Sequence, residues 1–269
     1  MTTTDVTTTD MLIDRIKTHR VYDHPLYAHW AAAPPSPEVS GALFHQVQSF
    51  CASTRPAGEF PAALRGLGWD EQAMLIEEIV DSEAGHGPEL ATMAGHIVNR
   101  SGAQVFEDVY DTAAVEAWLK SQSDRLLSGL PGYDRETGLT RQAAAAIEVF
   151  RRRFSSDAET TVRNLGTALA LEIISNQSLI PGEKRALVDA GHYKTDLDEP
   201  EMHYMAEHWG ETGAEQQHEA NVIRAVSSVM DETNGERIAQ GVDDFLTSLC
   251  ALWDVLDAAL LTSGLRPTA

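Results

Sequence analysis

Apolar residues recur at helical spacing almost from one end of the chain to the other, and this period constrains the fold more than any other property of the sequence. The final segment, from about Glu236 to Leu261, is the clearest case: Ile238, Val242, Phe245, Leu249, Leu252, Val255 and Leu256 repeat every three or four residues. Alternating runs rich in Val, Ile and Thr between hairpin turns hardly occur. The pattern predicts an all-α chain.

Helix boundaries are legible from capping chemistry. Ser36-Pro37-Glu38 reads as an N-cap with Pro at the first helical position, opening a helix through Phe44, Val47 and Phe50 to near Pro56. Asp70 reads as the cap of a helix carrying Met74, Leu75, Ile79 and Val80, which Gly85 and Gly87 interrupt before a restart at Pro88. Asp111–Leu127, Thr140–Phe154 and Asp157–Leu179 read as amphipathic helices, with Pro181-Gly182 ending the last. Asp198 opens a further helix expected to run from about Glu199 to Met230. The opening MTTTDVTTTD reads as a disordered tail over residues 1–10. With no internal repeat or dividing linker, residues 11–269 are expected to form one helical domain, a bundle whose inward side chains can build a metal or ligand site.

Charge narrows the partners. Asp plus Glu outnumber Lys plus Arg by 41 to 20, and a net charge of -21 repels nucleic-acid phosphates and anionic membrane faces. No uninterrupted apolar run nears the roughly 18 residues of a membrane span, and the N-terminal residues do not read as a signal peptide. Cys51 and Cys250 form neither a disulfide framework nor a zinc spacing, so a reducing, cytoplasmic setting is expected. A homodimer is compatible with this composition.

The chemistry sits in a few carboxylates and histidines. Glu83-Ala-Gly-His86 and Glu215-Gln-Gln-His218 are two Glu-x-x-His pairs, whose side chains fall about 60° apart on a helix and can reach one metal pair. In HWGETGAEQQH, the residues His208, Glu211, Glu215 and His218 fall within an arc of roughly 80° on a continuous helix. Such a stripe also suits the solvated face of an acidic helix. Glu172 is harder to place on a surface, because LGTALALEIIS surrounds it with apolar residues and offers no Lys or Arg beside it. Glu83, His86, Glu172, Glu211, Glu215 and His218 together offer four carboxylates and two imidazoles, a charge set that two Fe(II) ions would neutralise.

The order of these motifs resembles the haem-oxygenase-like diiron oxidases. IVDSEAGHGPEL is similar to the early acidic run with its Glu and His, LALEIIS to the mid-chain Glu, and Glu211, Glu215 and His218 to the late motif; the resemblance spans roughly Ser36 to Met230. The late motif departs from the family pattern at its first position, usually His but here Glu211, with His208 one turn earlier as a substitute. His96, in MAGHIV, is a rival to His86, although its apolar neighbours suit a satisfied core histidine better.

The resemblance implies a haem-oxygenase-like bundle, two irons, dioxygen as cosubstrate, and oxidation of a small substrate such as an aliphatic amino acid. HWGETGAEQQH in particular resembles the branch that desaturates isoleucine and closes an azetidine ring in nucleoside-antibiotic biosynthesis. Arg100, Arg141 and Arg163 are candidates to clamp a substrate carboxylate. Further alternatives follow from the same comparison: a haem protein using His45 of LFHQVQSF as axial ligand, a cofactor-free relative, and a thiaminase-like relative with a cysteine nucleophile. A metal-free helical binding protein is another.

Overall fold

The computed structural model describes residues 7–55, 58–83, 86–210 and 214–262. Among them the chain is helical, and the sole β pairing is an isolated bridge between Asp134 and Leu139. In chain order the helices are α1 (Thr9–Thr18), α2 (Leu26–Ala32), α3 (Pro37–Thr54), α4 (Glu59–Gly66), α5 (Asp70–Ser82), α6 (His86–Arg100), α7 (Thr112–Leu126), α8 (Arg141–Arg151), α9 (Ala158–Ile174), α10 (Ile180–Lys184), α11 (His203–His208), α12 (Ala214–Val229) and α13 (Glu232–Thr262). The all-α reading therefore holds.

The capping argument holds where an oxygen-bearing side chain precedes an apolar stripe. Ser36, Asp111, Thr140 and Asp157 each accept a hydrogen bond from the third backbone N–H beyond them. Elsewhere the boundaries shift. Thr8 caps α1, so Thr9 and Asp10, expected in a tail, are helical. Trp69 rather than Asp70 occupies the cap of α5, and α6 begins at His86, two residues before Pro88.

Two larger differences shape the site. Pro181-Gly182 does not end the α9 segment: the chain winds on as a π-helical turn (Ser175–Leu179), α10, and a second π turn (Arg185–Asp189). A widened turn relaxes the hydrogen-bond ladder that proline would otherwise break, and such turns concentrate at functional sites. Gly182 fits there because a Cβ would come within 2.6 Å of the Tyr27 ring. The helix expected from Glu199 to Met230 is also broken. A 3₁₀ turn (Pro200–Met202) leads into α11, which ends in an extended Trp209 and a left-handed Gly210 before α12 begins.

At the centre α9 crosses α13 at backbone contact. A Cβ on Gly166 would lie 1.9 Å from the Ile238 carbonyl oxygen, and one on Gly241 would lie 1.9 Å from that of Arg163. Neither obstacle is a side chain that can swing away. Gly166→Ala is therefore expected to cost about 3 kcal/mol, lowering the thermal midpoint by roughly 6–12 °C in a melting experiment. By length and composition α13 is long and apolar enough to cross a membrane. In this fold it packs on α8 and α9 and buries Phe245, Leu249, Leu252 and Trp253.

Candidate metal centre

The centre is assembled from five elements. Glu83 ends α5 and His86 starts α6; Glu172 projects from the last turn of α9, His208 from the end of α11, and Glu215 and His218 from the first turns of α12. Helix ends suit this task because a single break re-aims a side chain that a continuous helix would fix. Among these groups only Glu83 is more than marginally exposed.

Glu83 is the hub. Its carboxylate joins two groups whose ligand atoms lie within 4.8 Å of one another, one with His86 and His208, the other with Glu215 and His218. The Glu83 Oε1 atom is 3.6 Å from His208 Nε2 and 3.7 Å from His218 Nδ1, and Oε2 is 3.2 Å from His86 Nδ1. His208 Nε2 is 3.7 Å from Glu215, and His218 Nδ1 is 3.8 Å from Glu172. Separations of 3.6–3.8 Å are too long for hydrogen bonds. They are slightly wider than the roughly 3–3.6 Å that bonds of about 2.1 Å set between neighbouring ligand atoms around a common ion.

The histidines are oriented from behind. His208 donates from Nδ1 to the Tyr204 carbonyl at 2.7 Å, which leaves Nε2 free to face Glu83 and Glu215. His86 meets Glu83 through Nδ1 and, at 3.0 Å, Glu207 through Nε2. Partners of this kind fix ring orientation and tautomer at metal sites. The Tyr204 ring packs against both imidazoles, with centroids 4.3 Å from His208 and 6.0 Å from His86.

Electrostatically the cluster is incomplete as it stands. Burial, reinforced by the charges of Glu215 and Glu83, pushes the Glu172 carboxyl well above the usual carboxylate range. Burial likewise raises Glu215 to about 7, against the opposing pull of His208. Burial would raise Glu83 too, but the His208 and His86 imidazoles more than offset it and hold Glu83 well below the usual range. Burial alone would lower His208, yet Glu83 and Glu215 raise it to about 9. His218 is lowered by burial. Glu215 Oε2 is buried without a hydrogen-bond partner. An orphaned carboxylate oxygen, neighbouring carboxylates that resist ionisation, and oriented imidazoles are what a divalent cation would resolve. The buried His/Glu groups fit a metal ion.

A cavity of about 50 Å³ adjoins the cluster, where roughly 10–15 Å³ accommodates one water. Phe50, Leu90, Leu171 and Leu179 provide its apolar wall, and Cys51 and Arg55 also reach it. Burial and the charge of Glu183 push the Cys51 thiol well above its ordinary value, so it stays protonated and makes a poor nucleophile.

Of the residues expected from sequence, Glu83, His86, Glu172, Glu215 and His218 converge, and His208 joins them. Glu211 lies outside the described residues. His96 sits elsewhere, bonded to Thr195 at 3.0 Å and paired with Glu199 at 2.6 Å. Together with Glu199 and Glu201 it forms a separate group of potential ligands, but Glu199 already accepts from Arg100 and Thr195. Arg163 is paired with Asp244, Arg100 with Glu199, and Arg141 is exposed at the start of α8, so none of the three faces the centre.

His45 is also remote from the centre. It shares Nδ1 with Ser123 at 3.1 Å and is pressed against Gly138. Burial, aided by Lys120, lowers it to about 4, so the folded chain holds it neutral. Stability from this group is complete above the unfolded value of about 6.5 and is lost as pH falls towards 4. His45→Gln is expected to remove roughly 2–3 kcal/mol of that acid sensitivity, seen as a smaller shift of the urea midpoint between pH 7 and pH 4.

Sequence reasoning missed Glu183, Glu207 and Tyr204. Glu183 is buried, accepts from the Tyr27 hydroxyl at 3.3 Å, and is raised by burial to about 7. Its segment, IPGEK, signals a helix end, which concealed a buried carboxylate. Comparison of the chain with known family models finds no match, and comparison with curated proteins finds none either.

Proposed function

We propose that the chain is a non-haem diiron oxidase, built as a haem-oxygenase-like bundle, that uses dioxygen to oxidise a small aliphatic substrate in the cytoplasm. The observation that carries this reading is Glu83 shared between two His/carboxylate groups, with His208 held by Tyr204 to face them. Two ions bridged by one carboxylate suit that arrangement better than one. Glu83 would bridge, His86 and His208 would serve one ion, and Glu215, His218 and Glu172 the other. When bound, two ferrous ions supply the electrons and open positions that dioxygen chemistry at a C–H or N–H group requires.

The protein's part is positional. Tyr204 and Glu207 hold the imidazoles, the Phe50–Leu90–Leu171–Leu179 wall keeps water from the reacting carbon, and Glu183 with Tyr27 forms a hydrogen-bonded acid behind the centre. An aliphatic amino acid is the substrate class proposed, with desaturation of isoleucine, and closure to an azetidine, the first reaction to try. Nucleic acid and membrane are not expected partners for so acidic a chain.

The test is oxygen consumption by the Fe(II)-loaded chain across a panel of aliphatic amino acids, with product mass read in parallel. The expected result is substrate-dependent uptake with a product lighter by two hydrogens. Uptake by the wild type no greater than that of Glu83→Gln, for every substrate, would contradict the reading.

A further inference from the structure

Beside the metal centre lies a second cavity, separated from the first by Thr54, Leu171 and Glu172, which wall both. Phe60, Ile76, Ile79, Val149, Phe150 and Ala168 make it apolar. It follows one face of α9: Asn164, Thr167, Ala168, Leu171 and Glu172 recur at helical spacing along its wall. From Asn164 to Glu172 the helix rises about 12 Å, at 1.5 Å per residue.

Polar groups that face this cavity are out of balance. Arg153 Nε and Asn164 Nδ2 are both buried, both donors, and both without a hydrogen-bond partner. Asn164 is 5% exposed. The other two Arg153 nitrogens donate to the carbonyls of Thr54 and Ser53 at the end of α3, which fixes the guanidinium in place. Among the described residues no carboxylate pairs with it; Glu59 acts only from beyond ion-pair distance. Buried donors are normally satisfied, and a cationic one left open is the more costly. Two such donors lining an apolar slot whose wall also carries the metal centre's Glu172 define a ligand: an anionic head on a short aliphatic body.

We infer that Arg153 and Asn164 anchor the carboxylate of the substrate and lay its aliphatic chain along α9 towards Glu172. The inference rests on the diiron reading for the identity of the ligand as a substrate, but the binding itself does not need the metal. It also reassigns the clamp expected at Arg100, Arg141 or Arg163, each of which is engaged or exposed elsewhere. Burial lowers Arg153 to about 10, so it remains a cation at neutral pH.

The test titrates the full-length chain with hexanoate, and with neutral hexanamide, following binding by NMR. Metal-free protein and anaerobic Fe(II)-loaded protein are run side by side, and iron per chain is measured on the same samples. Hexanoate is expected to bind in both forms and hexanamide far more weakly. Asn164→Leu should weaken hexanoate about 10- to 100-fold with iron content unchanged. Because Arg153 also caps α3, Asn164→Asp is the second variant: it faces the ligand with a like charge and should abolish hexanoate binding without touching that cap. Hexanoate that binds only when iron is present would overturn the assignment and place the carboxylate on the metal, and hexanoate that binds both variants as tightly as the wild type would overturn it as well. Absence of binding in either wild-type form would overturn it too. The iron measurement reports separately on whether the centre itself stands.

Discussion

Glu83→Gln is expected to abolish metal binding at both positions, not one, because the Glu83 carboxylate belongs to both ligand groups. The affinity loss should be at least on the order of 100-fold at each, the upper range for a group that merely supports a ligand. Glu207→Gln is the contrast. Glu207 touches His86 alone among the centre's groups, at 3.0 Å, so its loss should weaken one position and spare the other. An anaerobic Fe(II) titration monitored by calorimetry separates the two outcomes: no binding step for Glu83→Gln, one weakened and one normal step for Glu207→Gln.

The second large effect has opposite signs with and without metal. Glu172 is buried among Leu169, Ile173 and Ile174 and faces the charges of Glu215 and Glu83. In the metal-free protein that placement is a liability. Glu172→Gln is expected to stabilise the apo chain by about 1–3 kcal/mol and raise its melting temperature by several degrees. The sign with pH follows from the raised folded-state value: Glu172 takes up a proton on folding, so its contribution is complete below the unfolded value of about 4.3 and is lost as pH rises. The advantage of the variant should therefore grow between pH 5 and pH 8. Added Fe(II) is expected to reverse the order, because the wild type would gain stability from the ion and the variant would lose a ligand. Melting curves at the two pH values, with and without Fe(II), contain the whole pattern.

How much of this was legible in the sequence differs between the fold and the site. The fold was readable where local chemistry decides: Ser36, Asp111, Thr140 and Asp157 behave as N-caps because an oxygen-bearing side chain precedes an apolar stripe. It was not readable where tertiary packing overrides the local signal. Pro181-Gly182 has the composition of a stop, yet the Tyr27 ring against Gly182 and the flanking π turns carry the chain onward. The short helices α1, α2 and α4 have too few periods to stand out.

The site shows the same division. Glu172 was conspicuous because an isolated carboxylate in an apolar run has few inexpensive explanations. The grouping of His208, Glu215 and His218 was anticipated from a continuous helix that does not exist. They meet because the chain breaks at Trp209 and Gly210 and α12 restarts with its first turn aimed at the same point. Glu207 was invisible for the complementary reason, since its role depends on α11 packing beside the start of α6. Arg153 was passed over among the arginines because nothing in RRRF distinguishes the side chain that turns inward.

Iron-edge X-ray absorption on the anaerobically loaded chain, with iron counted per chain, tests most directly whether two irons share Glu83. The prediction is two ions per chain, nitrogen and oxygen ligation, and an iron–iron vector near 3.5–4 Å, the spacing of two-metal sites. One ion per chain with no iron–iron vector, or iron that Glu83→Gln binds as well as the wild type, would contradict it.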